Sequence, residues 1–385
     1  MRSLVAVVAL LSGCDRVFGL ERELDAMAPQ RCFGKNAPNG NGLVGFCVDG
    51  LLEDEYLLPQ DVDTDELGKP ECTAIVTQMD LDSTEICVIA ANNIRVQGAP
   101  TLHGGRPLVL VARKVLTVDA GTSIDVASRS NMLGSGSPMA ICSQTNNGAP
   151  GSTGGAGGAG GGFNGMGGSG GNAMVALGGS QPPAVALSNG IRAGCRGGRG
   201  GNGNSGVNGG QGGQGGGALY LIAGERIEMN GIINASGEGG GGGARAPSNG
   251  GGGAGGGGGG TGGLIGLDAP IVRIGASARL AANGGGGGGG GATVGTNWMP
   301  GTAGSDSTVF QGTFPFKAAG GMAGLPQGAT GGDGSAGLAI AQQGASATSG
   351  GGAGGGGGAP GYILIYTPDG GLENASTQIT PAFGP

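Results

Sequence analysis

Short apolar runs recur along this chain in a constant order, each closed by glycine or asparagine. The clearest unit opens at Leu108-Val109-Leu110-Val111, passes Arg113-Lys114 to Val115-Leu116-Thr117-Val118, turns at Gly121 and resumes at Ile124-Asp125-Val126-Ala127. A second reads Leu219-Tyr220-Leu221-Ile222, Ile227-Glu228-Met229, Gly231 and Ile232-Ile233-Asn234-Ala235-Ser236. A third reads Leu264-Ile265-Gly266-Leu267, Ile271-Val272-Arg273-Ile274, Gly275 and Leu280-Ala281-Ala282-Asn283. Cys87-Val88-Ile89-Ala90 with Ile94-Arg95-Val96 makes an earlier unit, and Tyr362-Ile363-Leu364-Ile365 opens a degenerate last one. Units of roughly 20 residues with short strands and tight corners predict an all-β fold, a parallel β-helix or solenoid in which each coil pairs with its neighbours. The first strand of each unit is apolar on both faces, as when both sides of a sheet are covered. One face is expected inside the coil and the other beneath a glycine layer.

Between these units lie insertions at 129–217, 238–263 and 285–361, where most of the 100 glycines fall. Glycine occupies every third position from 197 to 215, from 148 to 160 and from 328 to 337. Three-residue periodicity marks a polyproline-II-type helix, which makes no internal hydrogen bonds. Buried copies must therefore bond to neighbours, as in a polyglycine-II layer. Unbroken runs such as 255–260 and 284–291 belong at the centre of such a bundle, and Gly-x-y runs at its edge. The competing expectation is a set of flexible glycine loops. The Gly-x-y runs are too short and proline-poor for collagen.

Gly and Pro together make up roughly 31% of the chain, a level that alone points to low complexity. Against disorder stand 37% apolar residues gathered in strand-like runs and only 12% charged ones. The formal charge is −7, and 18 of the 26 acidic residues precede Thr153. No extended basic surface is available to follow a phosphate backbone, which argues against nucleic acid as a partner.

The N-terminus carries one positive charge in Met1-Arg2-Ser3, an apolar core at 4–11, and Leu11-Ser12-Gly13-Cys14. It resembles a bacterial lipoprotein signal, which implies a signal peptide at 1–13, lipidation of Cys14 and a tether over 14–31. The apolar run is too short to span a bilayer. Six further cysteines, Cys32, Cys47, Cys72, Cys87, Cys142 and Cys195, suit an oxidising compartment. Of 15 connectivities, the shared spacing favours Cys32–Cys47 and Cys72–Cys87, leaving Cys142–Cys195 to close the first insertion. Each short closure is worth about 3 kcal/mol on the chain-entropy account. A disulfide-linked β region is expected over 32–128, and glycine-interrupted units over 129–385.

Several phrases together resemble a group of glycine-rich, uncharacterised lipoproteins of the myxobacterial type. They are Cys14-Asp15-Arg16-Val17-Phe18-Gly19-Leu20, Arg106-Pro107-Leu108-Val109-Leu110-Val111-Ala112, Ala218-Leu219-Tyr220-Leu221-Ile222-Ala223-Gly224 and Ile265-Gly266-Leu267-Asp268-Ala269-Pro270. The resemblance covers most of the chain and implies fold and address, with no catalytic residue. It points to the cell envelope, at the outer membrane or cell surface in preference to the periplasmic face of the inner membrane. Asp15 is a contrary sign under the sorting rule of enteric bacteria.

Candidate chemistry is sparse, and no cofactor is expected. Frequent G-x-G-x-x-G matches lack the strand–turn–helix setting of a nucleotide site. His103, the only histidine, sits in a corner where a solvated role outweighs a catalytic one. Asp61-Val62-Asp63-Thr64-Asp65-Glu66 could offer oxygen ligands to calcium, but Glu66 and Cys72 break the EF-hand pattern. Asp306 and Asp333 are too few for glycine-rich calcium repeats. Trp298, Phe310, Phe314 and Phe316 read first as an anchoring cluster and second as a sugar platform. Asn234-Ala235-Ser236 and Asn374-Ala375-Ser376 read as a corner and a tail. The outward charges Asp125, Glu225, Arg226, Glu228, Asp268 and Arg273 are not expected to stack, apart from Arg113 beside Glu225. The leading expectation is a non-enzymatic, lipid-anchored envelope protein with a structural or adhesive role, touching the membrane through its lipid and a polysaccharide through its surface. The alternative is a carbohydrate-active enzyme of polysaccharide lyase or hydrolase type, by fold analogy.

Overall fold

A computed structural model describes residues 31–34, 42–48, 52–66, 72–78, 84–130, 132–137, 142, 146–187, 190–246, 251–293, 299–309 and 317–384. Cys14, Trp298, Phe310, Phe314 and Phe316 lie outside them. The chain's regular secondary structure is almost entirely β. Among the described residues the one helical element is a single 3-10 turn at Asn204–Gly206, and no helix is long and apolar enough to cross a membrane.

A hairpin, β1 (Arg31–Gly34) and β2 (Gly45–Val48), comes first. Groups of two or three short strands follow, and each group, or coil, pairs in parallel with the next. The series begins with β3 (Glu55–Leu57) and β4 (Asp61–Asp63). After the antiparallel β5 (Ala74–Gln78) come β6 (Thr84–Val96) with β7 (Thr101–His103), then β8 (Leu108–Val118) with β9 (Ser123–Asp125). The next coils are β10 (Ala218–Ala223), β11 (Arg226–Met229) and β12 (Ile232–Asn234), then β13 (Leu264–Asp268), β14 (Ile271–Ile274) and β15 (Arg279–Ala281). The last is β16 (Tyr362–Tyr366), β17 (Leu372–Asn374) and β18 (Ile379–Thr380).

Pairing between successive coils is in register, so like residues form rows. Cys87, Leu108, Leu219, Ile265 and Ile363 align, as do Ile89, Leu110, Leu221, Leu267 and Ile365. From the second face Ile94, Leu116, Ile227, Val272 and Leu372 meet them in one apolar cluster. Two strands depart from expectation. β6 and β8 each run unbroken through the first corner, whereas later coils break at Gly224 and Pro270. Ala112-Arg113-Lys114 contains neither residue, so the strand continues through the corner, where the β6–β8 register shifts between Ala91 and Asn93. The coil of β3 and β4 is an addition, unmarked by any apolar run.

The outer face of the first strands is not beneath the glycine layer. Val109, Val111, Tyr220, Ile222 and Leu364 pack instead against Phe33 and Phe46 of the hairpin and Ile191 of the first insertion. The insertions leave from strand ends and return into strand starts, as Gly217 does into Ala218, so they extend beside the sheet. Cys32 and Cys47 lie directly opposite in the hairpin and are bonded. Cys72–Cys87 and Cys142–Cys195 are the other two disulfides.

The insertions form straight segments, successive ones antiparallel, joined by backbone hydrogen bonds at every third residue to both antiparallel and parallel neighbours. The first contributes 146–151, 155–161, 167–172, 177–180, 197–203 and 209–216; the second, 237–246 and 252–262. The third contributes 284–292, 299–307, 318–324, 328–335, 342–347 and 351–361. Segment 284–292 illustrates the pattern. Gly284, Gly287 and Gly290 donate to Ser335, Gly332 and Ala329; Gly285, Gly288 and Gly291 donate to Gly260, Gly257 and Ala254. Gly286, Gly289 and Ala292 donate to Ser305, Thr302 and Met299, all nine bonds lying between 2.8 and 3.2 Å. Its carbonyls accept from three further segments through Gly358, Gly240 and Gly321 and their successors. Six neighbours also surround 155–161, 252–262 and 351–361.

Space explains the composition. A Cβ on Gly288 would fall inside the Gly241 carbonyl oxygen, and one on Gly257 inside that of Gln211. Edge positions such as Gln211, Thr330 and Gln343 are exposed instead. Strand register also carries into the bundle without a break. Ala235, Gly237, Gly240, Gly243 and Ala246 donate in turn to Ala281, Asn283, Gly286, Gly289 and Ala292, extending the β12–β15 ladder. Gly288→Ala is expected to lower unfolding stability by at least about 3 kcal/mol, since surrounding backbone must move. Thr330→Ala at the edge should stay within about 0.5 kcal/mol. Urea titrations of both variants against the parent check the pair.

Candidate functional site

Three surfaces gather the chemistry that the fold leaves available. The first is the far end of the glycine bundle, away from the strands. There the turn at 173–176 bridges Ala173 to Ala347, and Ala156, Ala176, Ala329 and Ala353 join them in a small apolar cluster. Beyond it project Met174, Val175 (82% exposed) and Leu177 (70%), with Leu325 (61%) on the 325–327 turn. Met299 and Met322 are also exposed, and Met299 donates its N–H to Leu325 O, which brings their segments side by side. Water-facing aliphatic side chains grouped on turns mark a contact surface more often than chance exposure does.

The bundle edge is polar and closed by side chains. Where an edge amide lacks a backbone partner, a nearby oxygen takes it: Gly320 donates to Asp333, Gly239 to Asp306, Gln214 to Glu238 and Arg199 to Asn147. Asp306 and Asp333, weighed as calcium ligands from the sequence, are thus bundle caps. Burial pushes the Glu238 and Asp306 carboxyls up, each against the backbone N–H it accepts.

The second surface is the outward face of β11, β14 and β17. Contrary to expectation its charges do stack. Glu228, Arg273 and Glu373 occupy equivalent positions in successive coils, with Arg273 Nη1 3.2 Å from Glu228 and its Nε 2.9 Å from Glu373. Arg226 Nε reaches the same Glu228 oxygen at 3.0 Å. Alternating charge in a parallel ladder offsets the repulsion that like charges would create. Arg95 pairs with Asp119, whose carboxyl its guanidinium holds below the usual range. Glu225 donates its N–H to Lys114 O, which sets it beside Lys114 in place of Arg113. Asp125 pairs with Arg129 and accepts from Asn234, so this asparagine belongs to an interior corner.

The third surface surrounds His103. Parallel pairing of β4 with β7 sets Asp63 opposite His103 and Asp61 opposite Thr101. His103 Nε2 is 3.1 Å from Asp61 Oδ1, and Nδ1 is 3.9 Å from Asp63 Oδ1. Asp63 also accepts the Asp65 N–H, while Asp65 accepts from Gly105. Arg106 lies 3.6 Å from Asp65 and 2.8 Å from Glu85. Gly134 bridges His103 and carries Met132, Leu133 and Ser137 to the rim of a concavity of about 590 Å³. His103 is therefore paired, not solvated. Only Nε2 is within hydrogen-bond distance of a carboxylate, and among the described residues no serine hydroxyl hydrogen-bonds to either ring nitrogen, so a triad has no nucleophile in place. Among the described residues no three His, Cys, Asp or Glu side chains converge on one metal position.

Sequence reasoning missed one buried pair. Tyr220 lies across Gly266, where a Cβ would enter its ring, and donates its hydroxyl to Asp268 at 3.3 Å. Leu43 N–H caps the same hydroxyl at 3.0 Å. Aligning the strand phrases of the second and third units would have set Tyr220 opposite Gly266. Burial raises Tyr220 well above its ordinary range and Asp268 to about 6, opposed by the Tyr220 hydrogen bond.

Comparison with protein families, with curated proteins and with solved structures finds no match to this chain.

The Asp268 value fixes a pH dependence. A carboxyl whose folded pKa stands near 6, above 3.8 unfolded, binds its proton more tightly in the native state. Its contribution is full below the unfolded value and is lost as pH rises through 6. The expected gain on acidification is on the order of 3 kcal/mol. Asp268→Asn should remove that component, of which about 1.4 kcal/mol falls between pH 8 and pH 5, where denaturant midpoints of both proteins read it.

Proposed function

We propose that the chain is a β-solenoid whose insertions assemble into a polyglycine-II slab, and that it acts as a non-enzymatic, lipid-anchored protein of the cell envelope with a structural or adhesive role. The observation that supports this reading is the bundle, with four segments enclosed on six sides and exposed aliphatic turns at its far end. Segment 284–292 extends about 28 Å at ~3.1 Å per residue. Such a slab holds its far turns at a fixed distance from the strands, which suits display and contact. The N-terminal signal pattern and Cys14 supply the envelope address and membrane link, and an envelope polysaccharide is the partner class we favour.

A second reading, a polysaccharide-cleaving enzyme, draws on Asp61, Asp63 and Asp65 near one concavity. It is weaker because it rests on fold analogy, and the Asp61 and Asp65 side chains are largely exposed, without the enclosure a general acid needs.

Hydrogen exchange tests the slab. Amides of 253–261 and 284–292 should exchange as slowly as those of β10 and β13, although neither stretch is a helix or strand. Exchange at the rate of free loops would overturn it. Protease shaving of intact cells expressing the full chain tests the role, with an envelope-integrity control. Digestion supports surface display. Protection on intact cells, followed by digestion once they are permeabilised, would remove the adhesive reading and leave an internal scaffold.

A further inference from the structure

The concavity beside His103 plays no part in the slab. We propose that it is a binding site for a primary ammonium carried on an aliphatic stem. Its charge is the first reason. Asp61, Asp63 and Asp65 face one histidine and one arginine, and that arginine also serves Glu85. Asp61 and Asp65 keep their side chains 78% and 57% exposed, so neither is consumed by its partner.

The second reason is independent. Ser137 lines the concavity, is 2% exposed, and its Oγ has no hydrogen-bond partner. A buried hydroxyl left unmade costs about 1–3 kcal/mol, so the site gains when a donor arrives. An ammonium brings three donors and no acceptor. It pairs with an exposed carboxylate at the rim, while the serine oxygen lies beneath the lining as a further acceptor.

The third reason is the wall. Met132 and Leu133 form the apolar part of the lining, and a methylene stem lies against such a surface while its head stays at the charge. An anion is opposed by the carboxylates. Calcium is the poorer fit, because it needs six to eight oxygens and the described side chains do not converge on one ion. The chemistry is shared by a lysine side chain of a protein and by a free diamine.

His103 is the only histidine, so its ring C–H signals report on this site alone. The full chain is titrated at fixed pH with N-acetyl-lysine methylamide, 1,5-diaminopentane, N-acetyl-norleucine methylamide and calcium chloride, following those signals by NMR. A saturable shift with the lysine compound supports a side-chain ligand, and one with the diamine alone supports a free polyamine. Asp61→Asn should weaken either by about five-fold, the effect of one partly exposed ion pair. Ser137→Ala should weaken it independently, with the unliganded spectrum of each variant confirming its fold. No saturable shift, an equal response to norleucine, or saturation by calcium at lower concentration than the amines would each overturn the proposal.

Discussion

Everything in the lateral bundle rests on one steric fact: a backbone without Cβ can approach another closely on every side. Extended three-fold segments make no hydrogen bonds of their own, so each buried amide must find its partner in a neighbour. Segment 284–292 does so in six directions. A single Cβ at Gly288 would occupy the space of the Gly241 carbonyl, so the close approach and the hydrogen bond stand or fall together. Composition that elsewhere signals disorder here follows from packing.

Glycine is also the costliest residue to order, and a net backbone hydrogen bond of about 0.5–1.5 kcal/mol offsets only part of ~1–2 kcal/mol per residue. The strands supply what the glycine lacks. Both ends of the insertions join in-register apolar ladders, such as Leu110, Leu221, Leu267 and Ile365. Since Ala235 to Ala246 continue the β12–β15 register into the glycine, the ladder prealigns the segments that must bond. Much of the ordering cost is thereby carried by apolar burial at the bundle's base.

Legibility from sequence followed the range of the interaction. The strand phrases at Leu108, Leu219, Leu264 and Tyr362 were visible because a short continuous apolar run is a local signal. The division between central runs at 255–260 and 284–291 and the edge run at 197–215 was visible because enclosure favours glycine; the Gly-x-y stretch at 148–160 departs from it, since 155–161 is enclosed on six sides with Ala156 and Ala159 buried. What covers the outer face of β8 and β10 was not, since Phe33 and Phe46 arrive from a hairpin far away in sequence. The coil of β3 and β4 escaped because Glu55-Tyr56-Leu57 and Asp61-Val62-Asp63 form no apolar run. Without that coil Asp61 had no position, and His103 looked solvated. The Glu228–Arg273–Glu373 row needed exact registers, which unit-level comparison did not provide.

The bundle also constrains how such a chain can vary. Each insertion leaves and rejoins the stack at the same end of the bundle, so it must contain an even number of segments. The three insertions obey this, with six, two and six among the described residues. A pair of segments can be added or lost without disturbing any strand, and interior positions hold almost only glycine and alanine, with Thr261 and Ser335 buried near the strands. Chemical variety is therefore confined to the edges, where Gln211, Thr330 and Asp333 stand, and to the turns, where Val175 and Leu325 project. A recognition surface on this architecture would change by exchanging turns over an unchanged lattice, and that is why the far turns, more than the strand faces, are where its specificity is to be sought.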